Sequence, residues 1–477
     1  MKYDFDVTIV GAGSAGMIAA EAAAEMGVKV ALVERDRIGG DCLWTGCVPS
    51  KALLASAKAA HTVRHADSYG LKVAELTVDT EAVWRRLKAI QHDIATTDDS
   101  PDRYERMGVK VISGEARFAG KQVVQVGGRK LRTRYALICT GSRPAALPID
   151  GLEDAGYLTS ENIFELDRAP QSIVILGGGP IGTEMAQAMA RLSVETTMLE
   201  RGAHILARDE PELTDILLSR LRSEGVDVRT GVEVVQVART PQGTTVTGKT
   251  SSGEETWSAE AVLVAAGRRP NIETLGLDEA GVKTGKKGIS VDDRLRTSVD
   301  WIYAAGDCAG RYLFTHTAAA EATTALRNMF FPGSASAPEP VPWTTFSDPE
   351  LAHVGLTSDE ARKTLGKDGM RVFHWDLAHS DRARADGATH GAMIVVTDDK
   401  FRIQGAHILS PSAGEMIGQF TLAIQNKLKL TPDFGNLIQV YPTYSTSISQ
   451  TAAEATYGQL RKPFLRTVRK LTGLFRL

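Results

Sequence analysis

Two of the four cysteines lie close together in residues 39–51, at a spacing that suits a redox-active disulfide. On a regular helix, Cys42 and Cys47 would be separated by a rise of roughly 7.5 Å, beyond the ~7 Å between Cα atoms that a disulfide tolerates. A bridge therefore needs a bent backbone, which Gly40 and Gly46 permit, and a strained bridge is readily reduced. The alternative is a pair of buried, unreactive cysteines.

The residues after the second cysteine favour a reactive thiol. Pro49 suits the first turn of a helix, so Cys47 is expected at a helix N-terminus with Lys51 one turn further on. A helix N-terminus and a nearby cation both stabilise a thiolate. Cys47 is therefore predicted to carry the negative charge.

A glycine-rich turn at 11–16 follows an apolar strand at 7–10 and leads into an alanine-rich helix at 17–26. Such a turn lets a pyrophosphate approach a helix N-terminus closely. Glu34 ends the next strand, where the ribose of a bound dinucleotide needs a hydrogen-bond acceptor. The sequence predicts a dinucleotide-binding unit here.

The same unit recurs later in the chain. A strand at 172–176 leads into the turn 177–182, and the interval from first glycine to acid, Gly177 to Glu200, is 23 residues, as it is in the first copy. Each copy ends in an apolar strand and a turn of the type Gly-x-Arg-Pro. The repeat predicts two nucleotide-binding folds, one interrupting the other.

Composition narrows the class of protein. The 477 residues predict two to four domains, and a net charge of −3 gives no reason to expect a nucleic-acid partner. There is no run of 18 apolar residues, the N-terminus does not resemble a secretion signal, and four cysteines are too few for a secreted disulfide framework. We expect a cytoplasmic protein.

Weaker patterns describe the rest of the chain. Helical segments are predicted at 51–65 and at 80–107, the latter broken near Pro101. His61 and His65 share a helix face at a spacing known from zinc sites, but no third ligand is evident, and an exposed helix surface is favoured. Further predictions are a linker at 331–342, strands at 393–397 and 405–409, and helices at 358–365 and 414–426.

Taken in order, these motifs resemble the pyridine nucleotide-disulfide oxidoreductases that carry their disulfide in the FAD domain, the group of dihydrolipoamide dehydrogenase, glutathione reductase and mercuric reductase. The segments that carry the resemblance are 11–16, 42–51, 140–144, 177–182, 266–271, 303–307 and 345–350. The resemblance implies an α/β fold with two nested Rossmann-like dinucleotide-binding domains and a C-terminal α+β dimerisation domain. The implied parts are an FAD-binding domain at 1–150 and 272–335, an NAD(P)-binding domain at 151–271, a dimerisation domain at 336–458 and a basic tail at 459–477.

The resemblance also implies cofactors and catalytic residues. FAD and a nicotinamide are expected, with Cys47 beside the flavin, Cys42 exchanging with the acceptor and Lys51 paired with Glu184, in a homodimer; no metal site is expected. The implied cofactor-binding residues are Gly11, Ala12, Gly13, Ser14, Ala15, Gly16, Glu34, Arg35, Gly40, Lys51, Ala116, Thr140, Gly141, Ser142, Gly177, Gly179, Gly182, Glu200, Gly267 and Asp307. NADH is expected in preference to NADPH, since the Glu200 carboxylate would repel the additional phosphate.

Departures from the family pattern concern the electron acceptor. Disulfide-reducing members carry a His-Pro-Thr-x-x-Glu run near the C-terminus, whereas this chain has Tyr441 for the histidine and Thr446 for the glutamate. A phenol with a reference pKa near ~10 is a poor base at neutral pH. Tyr441 resembles the mercuric-reductase branch, although the C-terminal cysteine pair of that branch is missing. Asp41, Trp44 and Thr45 also depart from the family and are expected to alter the substrate face.

Several acceptors and roles therefore remain open. The acceptor is a metal ion, an unusual disulfide or a quinone, and Tyr441 is counted among the catalytic residues. One alternative is a dihydrolipoamide-dehydrogenase-like component, and another is a redox-sensing flavoprotein subunit without turnover. The tail at 459–477 carries basic residues and an apolar helical face. It is interpreted either as a contact with the inner face of a membrane or as a helix packed on the dimer.

Overall fold

The computed structural model describes residues 2–241 and 243–460. Within those residues, three larger sheets of seven, four and five strands organise the chain, accompanied by smaller antiparallel pairs and one three-stranded sheet. The predicted α/β class with two nested nucleotide-binding folds and a C-terminal α+β domain is confirmed.

The first sheet has the strand order β3-β2-β1-β6-β5-β4. Its central strands are parallel, with Val7 opposite both Val30 and Tyr135. Val7 and Ile9 are fully buried, as expected for parallel strands covered by helices. The elements of this part are β1 (Phe5–Val10), α1 (Ser14–Glu25), β2 (Val30–Glu34), α2 (Gly40–Trp44), α3 (Cys47–Arg64), α4 (Thr80–Thr96), α5 (Pro101–Arg106), β3 (Lys110–Ser113), β4 (Ala116–Phe118), β5 (Val123–Val126), β6 (Arg129–Ile138) and β7 (Ser142–Pro144).

A second parallel sheet, of order β10-β9-β8-β14, repeats this arrangement beside an antiparallel sheet formed by β11, β12 and β13. Strand β15 leaves this unit and pairs with β7 of the first, with Arg268 opposite Pro144. The elements are α6 (Leu152–Ala155), β8 (Ser172–Leu176), α7 (Pro180–Arg191), β9 (Glu195–Glu200), α8 (Pro211–Ser223), β10 (Asp227–Thr230), β11 (Glu233–Thr240), β12 (Gly243–Thr250), β13 (Gly253–Ala259), β14 (Ala261–Val264) and β15 (Arg268–Pro270).

The chain then returns to the first sheet, where β18 pairs with β6 and Ile302 lies opposite Ala136. This pairing is the structural basis of the nesting. Helix α10 packs against α1 and begins beside the cysteines. The returning elements are α9 (Leu277–Ala280), β16 (Thr284–Gly285), β17 (Gly288–Ile289), β18 (Ile302–Ala304) and α10 (Thr315–Phe330).

The last part is an antiparallel sheet of order β19-β20-β23-β22-β21, with α13 packed on β20 and β23. Residues 332–342 form neither helix nor strand, in agreement with the predicted linker. The elements are β19 (Trp343–Thr345), β20 (Glu350–Gly355), α11 (Ser358–Leu365), β21 (Met370–Asp376), α12 (Asp381–Ala385), β22 (Ala392–Asp398), β23 (Ile403–Ser410), α13 (Ala413–Gln425) and α14 (Thr446–Leu460).

Element boundaries differ from the predictions by a few residues. The first helix begins at Ser14 and not at residue 17, because the glycine turn already feeds the first helical turn. The predicted break near Pro101 separates α4 from α5, which Ser100 caps by accepting a hydrogen bond from the backbone N–H of Arg103. In the described part of the chain, no helix is long and apolar enough to cross a membrane. The predicted basic tail spans 459–477, and its residues 461–477 lie outside the described residues.

The expected exposed helix face is confirmed for His65, which is exposed, whereas His61 is partly buried. Its Nε2 lies 2.9 Å from Arg220 Nη2 of α8, and burial, as the largest cause, lowers the pKa of His61 to about 4. Beside it, Arg191 is bound by Glu224 at 2.7 Å and by Asp348 at 2.8 Å. This buried ion cluster ties α7 and α8 to the turn before β20. Among the described residues, no group of histidine, cysteine and acidic side chains could hold a metal ion.

Candidate active site

A cavity of about 1650 Å³ lies where the three parts of the chain meet. Most of the residues predicted to bind cofactor or to react line this one space, although they come from distant segments of the sequence. The predicted residues that line it are Gly11, Gly13, Ser14, Ala15, Glu34, Arg35, Gly40, Cys42, Cys47, Lys51, Ala116, Thr140, Gly141, Ser142, Gly179, Glu184 and Asp307.

The remaining predicted residues do not line the cavity. All of them except Tyr441 lie in the turns, strand ends and helix starts around it. Ala12 and Glu200 belong to the hydrogen-bonded turns described below, and Gly267 is a left-handed turn residue with φ +80°. Gly16, Gly177 and Gly182 lie where α1 and α7 approach the preceding strands. Tyr441 is on the surface of the C-terminal part.

The first glycine turn fits an FAD pyrophosphate because its glycines have no side chains that would keep the phosphates away from the backbone N–H groups. A Cβ on Gly16 would lie 1.8 Å from the carbonyl oxygen of Gly11, so only glycine lets α1 start this close to β1. Gly40 has φ +54°, and a Cβ there would lie 2.6 Å from Gly13 Cα. The N-terminus of α1 therefore opens onto the cavity without steric cover.

Two carboxylates occupy equivalent places in the two nucleotide-binding units. Glu34 accepts hydrogen bonds from the backbone N–H of Ala12 at 2.6 Å and of Asp36 at 2.9 Å. Glu200 accepts from Gly178 at 2.6 Å and from Gly202 at 2.5 Å. Each carboxylate is therefore fixed at the end of its strand, beside its glycine turn.

The cysteines lie on two short helical segments separated by a sharp turn. Helix α2 ends at Trp44, and α3 begins at Cys47, so the backbone between the cysteines is bent as a bridge requires. Both cysteines are present as thiols, and Cys47 Sγ lies 3.3 Å from Thr315 Oγ1 at the start of α10. Thr315 was not predicted from the sequence, because it lies 268 residues away from Cys47.

The pKa values of the two thiols are shifted in opposite directions. A hydrogen bond from Cys42 is the largest cause that lowers the pKa of Cys47 to about 6, with Thr315 and the charge of Lys51 acting in the same direction against the effect of burial. The same contact with Cys47, together with burial, raises the pKa of Cys42. At neutral pH the pair therefore holds one thiolate, at Cys47, and one protonated thiol, at Cys42.

Lys51 connects all three parts of the chain at the cavity. Its Nζ lies 2.8 Å from Glu184 Oε2 on α7 and 4.3 Å from the ring centroid of Phe346. Glu184 also accepts a hydrogen bond from the backbone N–H of Phe346 at 2.9 Å. The ammonium group is thereby held in place at the cavity wall, near the thiolate.

Asp307 belongs to a second polar chain along the wall. Ser142 Oγ donates to Asp307 Oδ2 at 2.5 Å, and Arg268 Nε donates to Ser142 Oγ at 2.7 Å. Burial is the largest effect and raises the pKa of Asp307. Arg268 was not predicted as a site residue, although it follows the predicted Gly267 directly.

Tyr441 is 65% exposed, and its hydroxyl donates to Asp381 Oδ2 at 2.8 Å. The hydrogen-bond partner of this hydroxyl is therefore Asp381 and not Thr446, which stands at the sequence position of the family glutamate. Neighbouring apolar side chains are also exposed, Ile438 at 95% and Val440 at 76%. This segment is a surface that lacks cover within a single subunit.

A family model described as pyridine nucleotide-disulphide oxidoreductase matches residues 5–322, and the dimerisation domain of the same family matches 341–452. The chain belongs to this family. It is therefore a flavoprotein oxidoreductase that uses FAD and NAD(P)H, and its dimerisation domain supports a homodimer. Membership disfavours the alternative of a subunit without turnover.

Relatives named for different activities are about equally similar to the chain. It is 34% identical over 427 residues to a mercuric reductase of Staphylococcus aureus, covering 88% of this chain and 77% of the relative. It is 33% identical over 476 residues to a dihydrolipoyl dehydrogenase of Bacillus subtilis, covering 95% and 98%. The Cu(II) complex of the HOCl-induced flavoprotein disulfide reductase RclA from Escherichia coli superposes with a TM-score of 0.83 at 25% identity, covering 95% and 99%.

Proposed function

We propose that this enzyme passes electrons from NADH through the Cys42–Cys47 pair to a thiophilic metal ion. The observation that carries the proposal is the pairing of one thiolate and one thiol at the cavity, together with a phenol at the position of the family's acid-base histidine. Mercuric reductase among the relatives and the Cu(II) complex among the similar structures support a metal ion as acceptor.

The residues of the chain have separate tasks in this scheme. FAD, when bound, transfers reducing equivalents from the nicotinamide to the cysteine pair. Glu34 and the first glycine turn would hold its adenosine and pyrophosphate, and Asp307 its ribityl or phosphate end. Lys51, held by Glu184, stabilises negative charge beside Cys47. Cys42 is the sulfur that first meets the acceptor.

A divalent thiophilic ion needs no separate acid. Both sulfurs bind the ion, and Cys42 releases its proton to solvent as it does so. Two electrons then pass from the sulfurs to the ion while the S–S bond forms, so no thiolate leaves and none must be protonated. For Cu(II), which takes one electron, two ions are reduced for each disulfide formed.

The test is NADH oxidation by the complete enzyme with Hg(II), Cu(II), lipoamide and glutathione disulfide compared under the same conditions. We expect turnover with a metal ion at least about tenfold above that with either disulfide. Cys42→Ser should abolish it, whereas Cys308→Ala, which changes a buried cysteine, should retain it. Faster turnover with a disulfide would reject a metal acceptor.

His316 favours a second candidate, a dihydrolipoamide-dehydrogenase-like function. It follows Thr315, it lines the cavity, and its Nε2 lies 2.8 Å from the carbonyl oxygen of Pro342. A histidine is suited to protonating a leaving thiolate. If this is its role, His316→Gln should lower lipoamide turnover about a hundredfold and leave metal-ion turnover unchanged.

The basic tail would place the enzyme at a membrane surface. Its basic, amphipathic sequence at 459–477 supports binding to an anionic membrane surface, where a quinone would be within reach. Binding to anionic vesicles that is weakened by salt and lost on deletion of 461–477 would support this role. Binding that survives the deletion would exclude the tail as the anchor.

A further inference from the structure

Asp41, the residue before the outer cysteine, contacts the turn between the two cysteines. Its carboxylate accepts a hydrogen bond from Thr45 Oγ1, and its carbonyl oxygen accepts one from the backbone N–H of Thr45 at 2.9 Å. A Cβ on Gly46 would lie 2.9 Å from Asp41 O and 3.3 Å from Asp41 Oδ2. Asp41 therefore borders the turn whose shape brings the sulfurs together.

Arg268 binds the same carboxylate from the other side. Its Nη2 lies 3.1 Å from Asp41 Oδ2, and its side chain is 14% exposed. The guanidinium also donates to Ser142 Oγ at 2.7 Å and to Ser142 O at 3.1 Å, and its Nε lies 3.7 Å from Asp307 Oδ2. One fixed, planar cation thus joins the cysteine turn to the wall on which Asp307 lies.

We propose that Asp41 and Arg268 form a positioning pair that sets the redox balance of the Cys42–Cys47 couple. The proposal rests on the dithiol chemistry of the proposed function but not on the identity of the acceptor. Thr45 and Ser142 hold the two charged groups in place. Asp41, which was expected to alter the substrate face, lines the cavity, and its carboxylate is engaged by Thr45 and Arg268.

The charges around Cys47 determine the direction in which each member of the Asp41–Arg268 pair shifts its pKa. The groups that act on the Cys47 thiolate come from several elements. Cys42 and Asp41 lie on α2, Thr315 lies on α10, and Lys51 lies on the same helix as Cys47. Glu184 of α7 partly neutralises the charge of Lys51. Beyond Asp41 lie Arg268 and Asp307. The Asp41 charge raises the pKa of Cys47 in opposition to Lys51. Arg268 offsets that effect because it neutralises Asp41.

Removing the Asp41 charge and removing the Arg268 charge should therefore shift the pKa of Cys47 and the redox balance of the pair in opposite directions. Without the Asp41 charge, the thiolate and the reduced pair become more stable, so the thiol titrates at lower pH and the couple becomes harder to oxidise. Without the Arg268 charge, Asp41 is uncompensated beside the thiolate, and both quantities shift the other way. A purely structural role would loosen the turn in both variants and shift them in the same direction.

The experiment measures thiol chemistry and not turnover. The FAD-loaded, reduced enzyme is pulsed with iodoacetamide across pH, and alkylation of Cys47 is read by mass spectrometry. In parallel, the oxidised fraction is measured in dithiothreitol redox buffers. The midpoint pH of Asp41→Asn should fall by at least ~0.5 unit and that of Arg268→Gln should rise by a similar amount. Because no acceptor is present, an error in the proposed acceptor leaves these readings unaffected.

Two further variants serve as controls. Arg268→Lys keeps the charge and should stay near the wild type. Glu273→Gln removes a carboxylate that also lines the cavity but pairs with Arg143 at 2.8 Å, and it gives the size of a nonspecific shift. If Arg268→Gln does not fold, Asp41→Asn and Arg268→Lys carry the test. The proposal is overturned if the midpoint pH shifts in the same direction in Asp41→Asn and Arg268→Gln. It is also overturned if the shift in Asp41→Asn is no larger than that in Glu273→Gln, or if Arg268→Lys departs from wild type by more than Glu273→Gln does.

Discussion

At the scale of single residues, the enzyme depends on an unequal pair of thiols. Cys47 has a pKa of about 6 because Cys42 and Thr315 donate to its sulfur and Lys51 adds a positive charge, while burial opposes them. A thiol whose pKa is lowered is a thiolate above that value and protonated below it. The reactivity of the pair should therefore appear well below the range in which an ordinary cysteine ionises.

The first prediction follows from this acidity. Alkylation of Cys47 in the reduced enzyme should rise through about pH 6 and be nearly flat above neutrality. Thr315→Val removes a hydrogen bond to the thiolate and should move the midpoint upward, whereas Thr315→Ser should preserve it. Unchanged midpoints in both variants would show that the 3.3 Å contact contributes nothing.

The second prediction concerns the nucleotide. The Glu200 carboxylate is fixed by two backbone N–H groups, so a 2′-phosphate would meet an immobile negative charge. The specificity constant should favour NADH, and Glu200→Ala should reduce this preference by roughly tenfold or more. Glu195→Ala, at the exposed start of the same strand, is the matched control. A wild-type enzyme that favours NADPH would contradict the assignment.

At the scale of elements, the segment before α14 leaves Tyr441 exposed on the surface of the subunit. Asp381, the first residue of α12, accepts a hydrogen bond from the phenol hydroxyl, and this bond is the largest cause that raises the pKa of Tyr441. The phenol therefore stays neutral, and its oxygen becomes a better acceptor or ligand for a cation. In a dimer that covers the exposed residues 437–441, this oxygen would complete the acceptor site of the partner.

The third prediction separates this role from packing. Tyr441→Phe and Asp381→Asn should each slow metal-ion turnover about tenfold or more while NADH still reduces the cysteine pair at the wild-type rate. Asp359→Asn, on exposed α11, is a control for the loss of one surface charge. Full metal-ion turnover in Tyr441→Phe would exclude the role.

The elements also show what the sequence could reveal. The glycine turns and the cysteine segment are local patterns, since the same short stretch contains both the backbone freedom and the reactive groups. Arg268, Thr315 and Asp381 act through partners more than 50 residues away in sequence, and no local period marks them. Residue types predicted the chemistry, whereas the electrostatic setting of that chemistry required the fold.

At the scale of the whole molecule, the buried cluster of Arg191, Glu224 and Asp348 joins the part built on the second parallel sheet to the C-terminal part. Burial alone would raise the pKa of Glu224, but the hydrogen bond and charge of Arg191 outweigh it and hold that pKa below its ordinary value. Such a carboxylate stabilises the fold at neutral pH, and this contribution is lost as the pH falls through its folded-state pKa.

The fourth prediction tests this contact between the parts. Glu224→Gln leaves the buried Arg191 short of a counter-charge and should lower the free energy of unfolding by about 3 kcal/mol or more at pH 7. The difference from wild type should shrink under acidic conditions. Glu233→Gln, at an exposed pair with Arg201, should cost less than about 1 kcal/mol. Equal losses in the two variants would show that the cluster is no more important than a surface ion pair.

The central claim is that the Cys42–Cys47 pair carries the electrons that the nicotinamide supplies. The most direct measurement is alkylation of the oxidised, FAD-loaded enzyme with and without anaerobic NADH, followed by mass spectrometry of all four cysteine peptides. Cys42 and Cys47 should both become open to alkylation only after NADH, Cys47 first because it carries the thiolate, while the buried Cys139 and Cys308 stay unmodified in both samples. If NADH exposes neither thiol, or if Cys42 and Cys47 react equally well before it is added, the pair is not the electron carrier.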